Sequence, residues 1–225
     1  MSFVASESTT RPLPGRQQLS REFIAHHQRA RIIGALAQES SEKGYRQVTV
    51  ADVVRRAGIA RNTFYENFRS KDDCFLATQE YAMTTALERV VAAAGDHDSW
   101  ADRVRFGLTA FLQYVVEEPA LARTCMVEAM SAGPAAVERY EKSQQAFVSL
   151  FKLGRDVSPR GGQLPETLEE ATIGGVFWIV YQRLAVGDVA AIPDLSPGLV
   201  EFALRPYLGA EAAREVATAG DVTPG

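Results

Sequence analysis

The sequence predicts an all-α fold, on three observations. Apolar residues recur at three- and four-residue spacing from about Ser20 to Tyr207, the period of one helix face. The tetrads Thr49–Asp52, Ser70–Asp73 and Ser99–Asp102 each set a Ser or Thr three residues before an acid, a pattern that starts helices. No stretch sustains the two-residue alternation of a half-buried strand. At 225 residues, 46% apolar and 23% charged, the chain has material for a packed core. That composition excludes a disordered, collagenous or disulfide-stapled chain.

Residues 1–19 read as a flexible arm of Ser, Thr, Pro and Gly with Arg11 and Arg16. From about Ser20 a first helix carries Ala30, Ile33, Leu36 and Ala37 on one stripe and ends at Gly44, a C-terminal cap. Thr49 opens a short helix that turns Val53, Val54 and Ala57 inward until Gly58 breaks it. A second short helix runs from about Arg61 to Asn67. Ser70 opens a long helix striped by Leu76, Met83, Leu87 and Val90. After Gly95, Ser99 opens another, with Trp100, Val104, Leu108, Phe111 and Val115 on one face. Pro119 suits a first helical turn, followed by Leu121, Ala122, Cys125, Met126 and Ala129. Beyond Gly133-Pro134, a stripe of Val137, Tyr140, Gln144, Phe147, Val148 and Phe151 marks the next helix. Residues 156–165 read as a loop. Ile173, Val176, Phe177, Val180 and Leu184 mark a helix from Glu166 to Gly187. Ser196-Pro197 caps the last major one, with Leu199, Val200, Phe202, Ala203, Leu204 and Tyr207.

Net charge is −4, but it is unevenly placed. Residues 11–71 hold 12 Lys+Arg against 5 Asp+Glu, a net of +7; residues 72–225 hold 12 against 22, a net of −10. A basic first third on an acidic remainder suggests two functions in one chain. Signatures of catalysis are absent: no GxGxxG, P-loop, GxSxG or HExxH. The adjacent His26 and His27 point about 100° apart on a helix and read as a solvated pair, and Glu117 and Glu118 as an acidic helix end. No metal site, no cofactor and no enzymatic activity are expected. Cys74 and Cys125, with no CxxC spacing, read as buried thiols in a reducing compartment. The longest strongly apolar run, Ile173 to Tyr181, is far short of the ~20 residues that span a bilayer, and no secretory h-region appears. The expectation is a cytoplasmic protein with no membrane partner.

Two short helices joined by a Gly-containing turn, Val50–Ala57 and Arg61–Asn67, read as helix-turn-helix. The second crowds Arg61, Asn62, Thr63, Tyr65 and Asn67 onto one element. Arg can pair with guanine edges and Asn with adenine. Phe64 and Phe68, four apart, would hold that helix to the core. A plain helical hairpin has the same spacing; the local basic excess favours DNA, because phosphate neutralisation supplies most non-specific affinity.

The stretch Gln28–Phe75 closely resembles the DNA-binding domain of TetR-family transcriptional regulators. Gly44-Tyr45, Ala57-Gly58-Ile59, Thr63-Phe64-Tyr65, Phe68 and Lys71 all sit at that family's spacing. The stretches from Gly15 (GRQQLSREFIAHHQ) and from Gly174 (GGVFWIVYQRLAVGDVAAIPDLSPGLVEFALRPYLG) resemble an actinobacterial-type subgroup. The resemblance implies a three-helix helix-turn-helix domain over residues 20–75 and a C-terminal helical ligand-binding and dimerisation bundle over 76–225. It also implies that Thr49 and Lys71 contact phosphate, Tyr65 contacts the DNA backbone, and Arg61, Asn62 and Thr63 open the recognition helix. Two positions depart from the pattern. Val50 replaces a frequent Thr, and Ala60 sits where a Ser or Thr commonly caps the recognition helix.

The helices at about 166–187 and 197–208 carry apolar residues on two sides; Trp178, Tyr181 and Ala185 add a second face to the first. Gly174-Gly175 lie mid-helix, where each costs about 1 kcal/mol against Ala, a cost that close approach of another helix would justify. With the resemblance, this implies a two-fold homodimer through these helices. An effector site is expected among the aromatic and Met stripes, where polar groups interrupt them. Gln144 is the first candidate, followed by Gln113 and Arg123, with Phe111, Met126, Tyr140, Phe147 and Trp178. The expectation is a repressor on a palindromic double-stranded DNA operator, released by an unknown small apolar or amphipathic molecule. The alternatives are a ligand-independent activator or architectural DNA binder, and a small helical enzyme acting in the C-terminal cavity.

Overall fold

The computed structural model describes residues 16–95 and 97–219, with side chains from residue 27 onward. Among the described residues all regular structure is helical. Helix α1 (Arg16–Lys43) buries Ile32, Ile33, Leu36 and Ala37 and ends at Gly44, whose φ of 82° only glycine takes readily. A 3₁₀ turn at Tyr45–Gln47 leads to α2 (Val50–Ala57). Both halves of the α2 capping box form: the Thr49 hydroxyl accepts the Asp52 N–H at 3.2 Å, and the Asp52 carboxylate accepts the Thr49 N–H at 2.9 Å. Then come α3 (Arg61–Asn67) and α4 (Lys71–Ala94), the latter capped by the Ser70 hydroxyl accepting the Asp73 N–H at 3.1 Å.

The rest of the chain forms a helical body. It comprises α5 (Trp100–Glu117), capped by Ser99, and α6 (Pro119–Met126), opened by its proline. A 3₁₀ turn at Glu128–Ser131 precedes α7 (Pro134–Lys152) and the single-turn α8 (Gly154–Val157). Helices α9 (Leu168–Val186), α10 (Ser196–Leu208) and α11 (Ala210–Thr218) complete the fold.

Several boundaries differ from the sequence reading. Residues 16–19 are helical although the arm was expected to reach 19; Arg, Gln and Leu are good helix formers, and nothing there breaks the turn. Residues 1–15 of that arm, and the side chain of His26, lie outside the described residues. The 156–165 loop begins inside α8 and holds a 3₁₀ turn at Gly161–Gln163. Helix α9 starts at Leu168, two residues after Glu166. Ser196 is the first residue of α10 and not its cap, because the 3₁₀ turn Pro193–Leu195 runs straight into it. Helix α11 had no strong stripe; it inserts Ala213 against Val200 and Leu204.

Two cores share α4. The first gathers Ile32, Leu36, Tyr45, Val53, Phe64, Phe68 and Phe75, and is closed from the body by Leu121 and Cys125 of α6 and Ala136 of α7. The second gathers Phe111, Leu112, Phe147, Val176, Phe177, Leu184, Leu199 and Tyr207. Cys74, Phe75 and Ala82 serve the first and Ala86 the second, so a cut after residue 75 falls one turn into a continuous helix. Both cysteines are free and buried, and burial pushes each thiol up to about 12.

One buried charge is fully partnered. Glu169 on α9 has no exposed surface. Its carboxylate accepts Arg155 Nε at 2.8 Å, a terminal Arg155 nitrogen at 2.9 Å and the Tyr207 hydroxyl at 2.6 Å. Burial opposes the charged form, but the Arg155 guanidinium and the Tyr207 hydroxyl outweigh it and hold the carboxyl below the usual range. Arg155 also donates to the Leu164 carbonyl at 3.1 Å and to that of Pro165, fastening the segment before α9.

Candidate nucleic-acid interface and interior cavity

Helix α3 is built to present one face. Phe64 and Phe68 are buried with ring centroids 5.8 Å apart, while Arg61, Asn62, Tyr65 and Glu66 are exposed and Thr63 is half-buried. The tight α2–α3 turn depends on Gly58, at φ 61° and ψ 43°, whose N–H ends α2 on the Val54 and Arg55 carbonyls. The Arg61 guanidinium lies 5.7 Å from the Tyr65 ring centre, so the two form one exposed donor-rich ridge. Ala60 takes the extended cap conformation, at φ −74° and ψ 152°, with no side-chain cap bond.

Several residues expected at DNA are also held within the chain. Asn67 donates its side-chain amide to the Thr63 carbonyl at 2.8 Å. The Thr49 hydroxyl donates to the Asp52 carboxylate at 2.6 Å. Lys71 donates to the Tyr45 carbonyl at 3.1 Å and the Val48 carbonyl at 2.9 Å, with its ammonium 4.1 Å from the Tyr45 ring centre. One of the three ammonium protons therefore remains for another acceptor. Lys43, the Thr49 hydroxyl and the Thr49 N–H together hold the Asp52 carboxyl well below the usual range.

Sequence reading missed the clamps from α1. Arg31 donates to the Ala57 and Gly58 carbonyls of the turn. Arg29 donates to the Asn67 carbonyl at 3.1 Å and lies over the Phe68 ring at 4.4 Å. The only available sign was an Arg pair two residues apart on a helix beside the motif. The domain is joined to the body by polar bonds as well as by its core. Glu128 accepts the Tyr45 N–H at 2.9 Å, Thr124 donates to the Ala37 carbonyl at 3.1 Å, and Gln79 donates to the Ala136 carbonyl at 3.2 Å.

The body holds a cavity of about 210 Å³, open on one side, between α4, α5, α7 and α9. Of the residues expected at an effector, Phe111 and Phe147 line it. Gln113, Arg123, Met126, Tyr140, Gln144 and Trp178 do not. Gln113 is exposed and bonds Glu117 at 3.1 Å, so its polarity belongs to the solvated side of α5. Arg123 caps the end of α9 through the Leu184 and Ala185 carbonyls. Met126 is buried in the core. Tyr140 stands edge-on to Phe177 at 6.1 Å, beside Gln144. Missed were the aliphatic walls, Val90, Leu108, Ile173 and Val176, which a search for polar interruptions passes over.

Helices α9 and α10 leave an apolar face uncovered. Trp178 is 58% exposed and stacked on Tyr181 at 5.2 Å, and Phe202 is 50% exposed. A side chain on Gly174 would meet nothing within 4 Å, and on Gly175 only the Phe202 ring at 3.6 Å. Within this chain, therefore, no close approach requires either glycine.

Residues 32–78 match the family model of bacterial regulatory proteins of the tetR family. The chain is 35% identical over 71 residues to the uncharacterized HTH-type transcriptional regulator YvdT of Bacillus subtilis, covering 31% of this chain and 37% of that protein. It spans between 37% and 54% of the length of the curated relatives it matches. Among solved structures, the fatty acid degradation regulator FadR of Bacillus halodurans superposes with a TM-score of 0.69 at 16% identity, covering 82% of this chain and 96% of that one. The Bacillus subtilis FadR in complex with stearoyl-CoA gives 0.63 at 16%, covering 80% and 98%. At these identities the likeness is one of fold: the helix-turn-helix segment is of the tetR type, and the helical body is arranged as in these regulators.

Proposed function

We propose that this chain is a TetR-type transcriptional repressor that binds a palindromic operator as a homodimer and releases it when a small apolar or amphipathic molecule enters the body. The observation that carries the reading is α3, anchored by Phe64 and Phe68 so that Arg61, Asn62 and Tyr65 face outward together. Arg61, Asn62 and Thr63 read base edges in the major groove, while Thr49, Tyr65, Asn67 and Lys71 contact the backbone. For Thr49, Asn67 and Lys71 this means redirecting or sharing the bonds they now make. The uncovered α9–α10 face supports a two-fold dimer, in which Gly174 and Gly175 would admit the partner helix. A structural relative bound to stearoyl-CoA supports an amphipathic effector. The stretches from Gly15 and Gly174 support placing the chain in the actinobacterial-type subgroup.

Helix α4 supplies the mechanism. Lys71 at its start grips the turn before α2, and Val90, Val91 and Ala94 at its end line the cavity. A ligand that moves the last turns of α4 tilts its first turn, and with it α3. It acts only if it binds the released state more tightly than the operator-bound one. Selection of bound duplexes from a random pool tests the reading. The expected result is two half-sites related by a dyad, with Arg61→Ala or Asn62→Ala changing base preference by about 1–3 kcal/mol at single positions. Equal loss on selected and random DNA for both variants overturns the assignment.

A further inference from the structure

We infer that the cavity accepts a single-chain amphiphile ending in a carboxylate, its tail among the phenylalanines and its charged end at Arg103; this rests on the cavity being the effector site. The lining is apolar with few exceptions. Among the described residues of the lining, Arg103 is the one charged side chain, and Thr172, itself buried, contributes the only side-chain hydroxyl. A ligand with polar groups along its length would leave them unpaired there. The cavity's 210 Å³ also falls below the ~300–1,000 Å³ of ordinary ligand pockets. A slim chain fits inside, and the rest of the molecule lies over the mouth. Three lining residues there keep apolar surface in solvent: Val91 is 51% exposed, Leu150 38% and Leu153 56%.

Arg103 is positioned in advance. Its Nε donates to the His97 carbonyl at 2.8 Å, and the His97 ring is stacked on Phe106 at 4.1 Å with planes 10° apart. That bond leaves the terminal nitrogens of an exposed guanidinium to meet a carboxylate. The nearby Asp102 is already engaged by Ser99 and Arg105. A guanidinium on apolar walls selects one negative charge at one end. It disfavours a cation or a ligand that is polar throughout.

Calorimetric titration of the full chain tests this, with dodecanoate, dodecanol and dodecanoyl-CoA as probes against wild type, Arg103→Gln and Leu108→Trp. Dodecanoate is expected to bind wild type at least tenfold more tightly than dodecanol. Arg103→Gln should raise the dodecanoate Kd about tenfold and leave that of dodecanol unchanged, while Leu108→Trp abolishes both. If acid and alcohol bind alike, or only the thioester binds, the ligand class is overturned while the cavity stands. No binding by any probe likewise overturns the ligand class. Tight dodecanoate binding that survives Leu108→Trp would put the site elsewhere and overturn the cavity reading itself.

Discussion

Single residues decide how firmly α3 and the body are held. Ala60 has the backbone of a helix cap without a side chain that can accept an N–H. Ala60→Ser should add about 1 kcal/mol and raise the melting temperature by about 2–4 °C in a scanning calorimeter. An unchanged or lower value would show that the exposed N–H groups of α3 are satisfied otherwise. This absence was legible in the sequence, because a cap is a local pattern. Glu169 was not, since nothing near it in sequence reports that Arg155 and Tyr207 converge on it. Its carboxyl is held below the usual range, so the folded state binds this proton less readily than the unfolded chain. The resulting stability is present in full above the ordinary carboxylate value and fades as pH falls through the lower folded value. Arg155→Met leaves that buried carboxylate without its cation, with only the Tyr207 hydroxyl beside it, at about 3–5 kcal/mol. Urea titrations between pH 4 and 7 should show the variant losing stability as pH rises, as the unpaired carboxylate is forced to ionise, and wild type gaining it. Parallel curves would refute the assignment.

At the level of elements, the joint between reading head and body is a meeting of two 3₁₀ turns. Tyr45–Gln47 is gripped from below by Glu128 and from the side by Lys71, and Arg46 donates to the Ser131 carbonyl at 3.4 Å. Removing the charge-assisted bond at Tyr45 in Glu128→Ala should cost about 1.5–3 kcal/mol locally. Hydrogen exchange should accelerate by roughly tenfold or more over residues 44–57 and stay unchanged over 168–208. Uniform acceleration along the chain would mean that the bond supports global stability instead. The sequence made α2, α3 and the start of α4 legible to the residue, because capping boxes and Gly58 are short-range signals. It left out α11 and the turns around 189–195, where packing against distant helices supplies what local pattern lacks. The cavity was only partly legible. Phe111 and Phe147 followed from periodicity, but Gln113, Gln144 and Arg123 pointed away from it, because polarity within a stripe can serve solvent or a helix end as readily as a ligand.

For the whole molecule, the charge split acquires a geometry. Of the basic residues before α4, Arg29, Arg31, Lys43, Arg55 and Arg56 are engaged within the domain. Their field persists, and Arg61, which opens α3, and Arg69, just after it, are both exposed. The acidic body disfavours other approaches of DNA, which supports the α3 face as the proposed docking surface. The proposed operator binding also needs two such faces held one helical turn of DNA apart, which a monomer cannot supply. Trp178→Arg, in the middle of the uncovered α9 surface, should yield a monomer by sedimentation with an unchanged helical circular dichroism spectrum. Operator affinity should fall by two orders of magnitude or more, the loss of one anchored half-site, about 2.7 kcal/mol or more. A variant that stays dimeric would remove α9 from the interface.

Finally, the two cysteines make the native protein silent toward thiol reagents. Both are buried, with thiols pushed up to about 12, so almost no thiolate is available at neutral pH. Both also lie in the core beneath the reading head and away from the cavity. Alkylation kinetics would therefore time the opening of that one compartment, and a cysteine placed on the surface of α3 could carry a spin label without removing the natural pair.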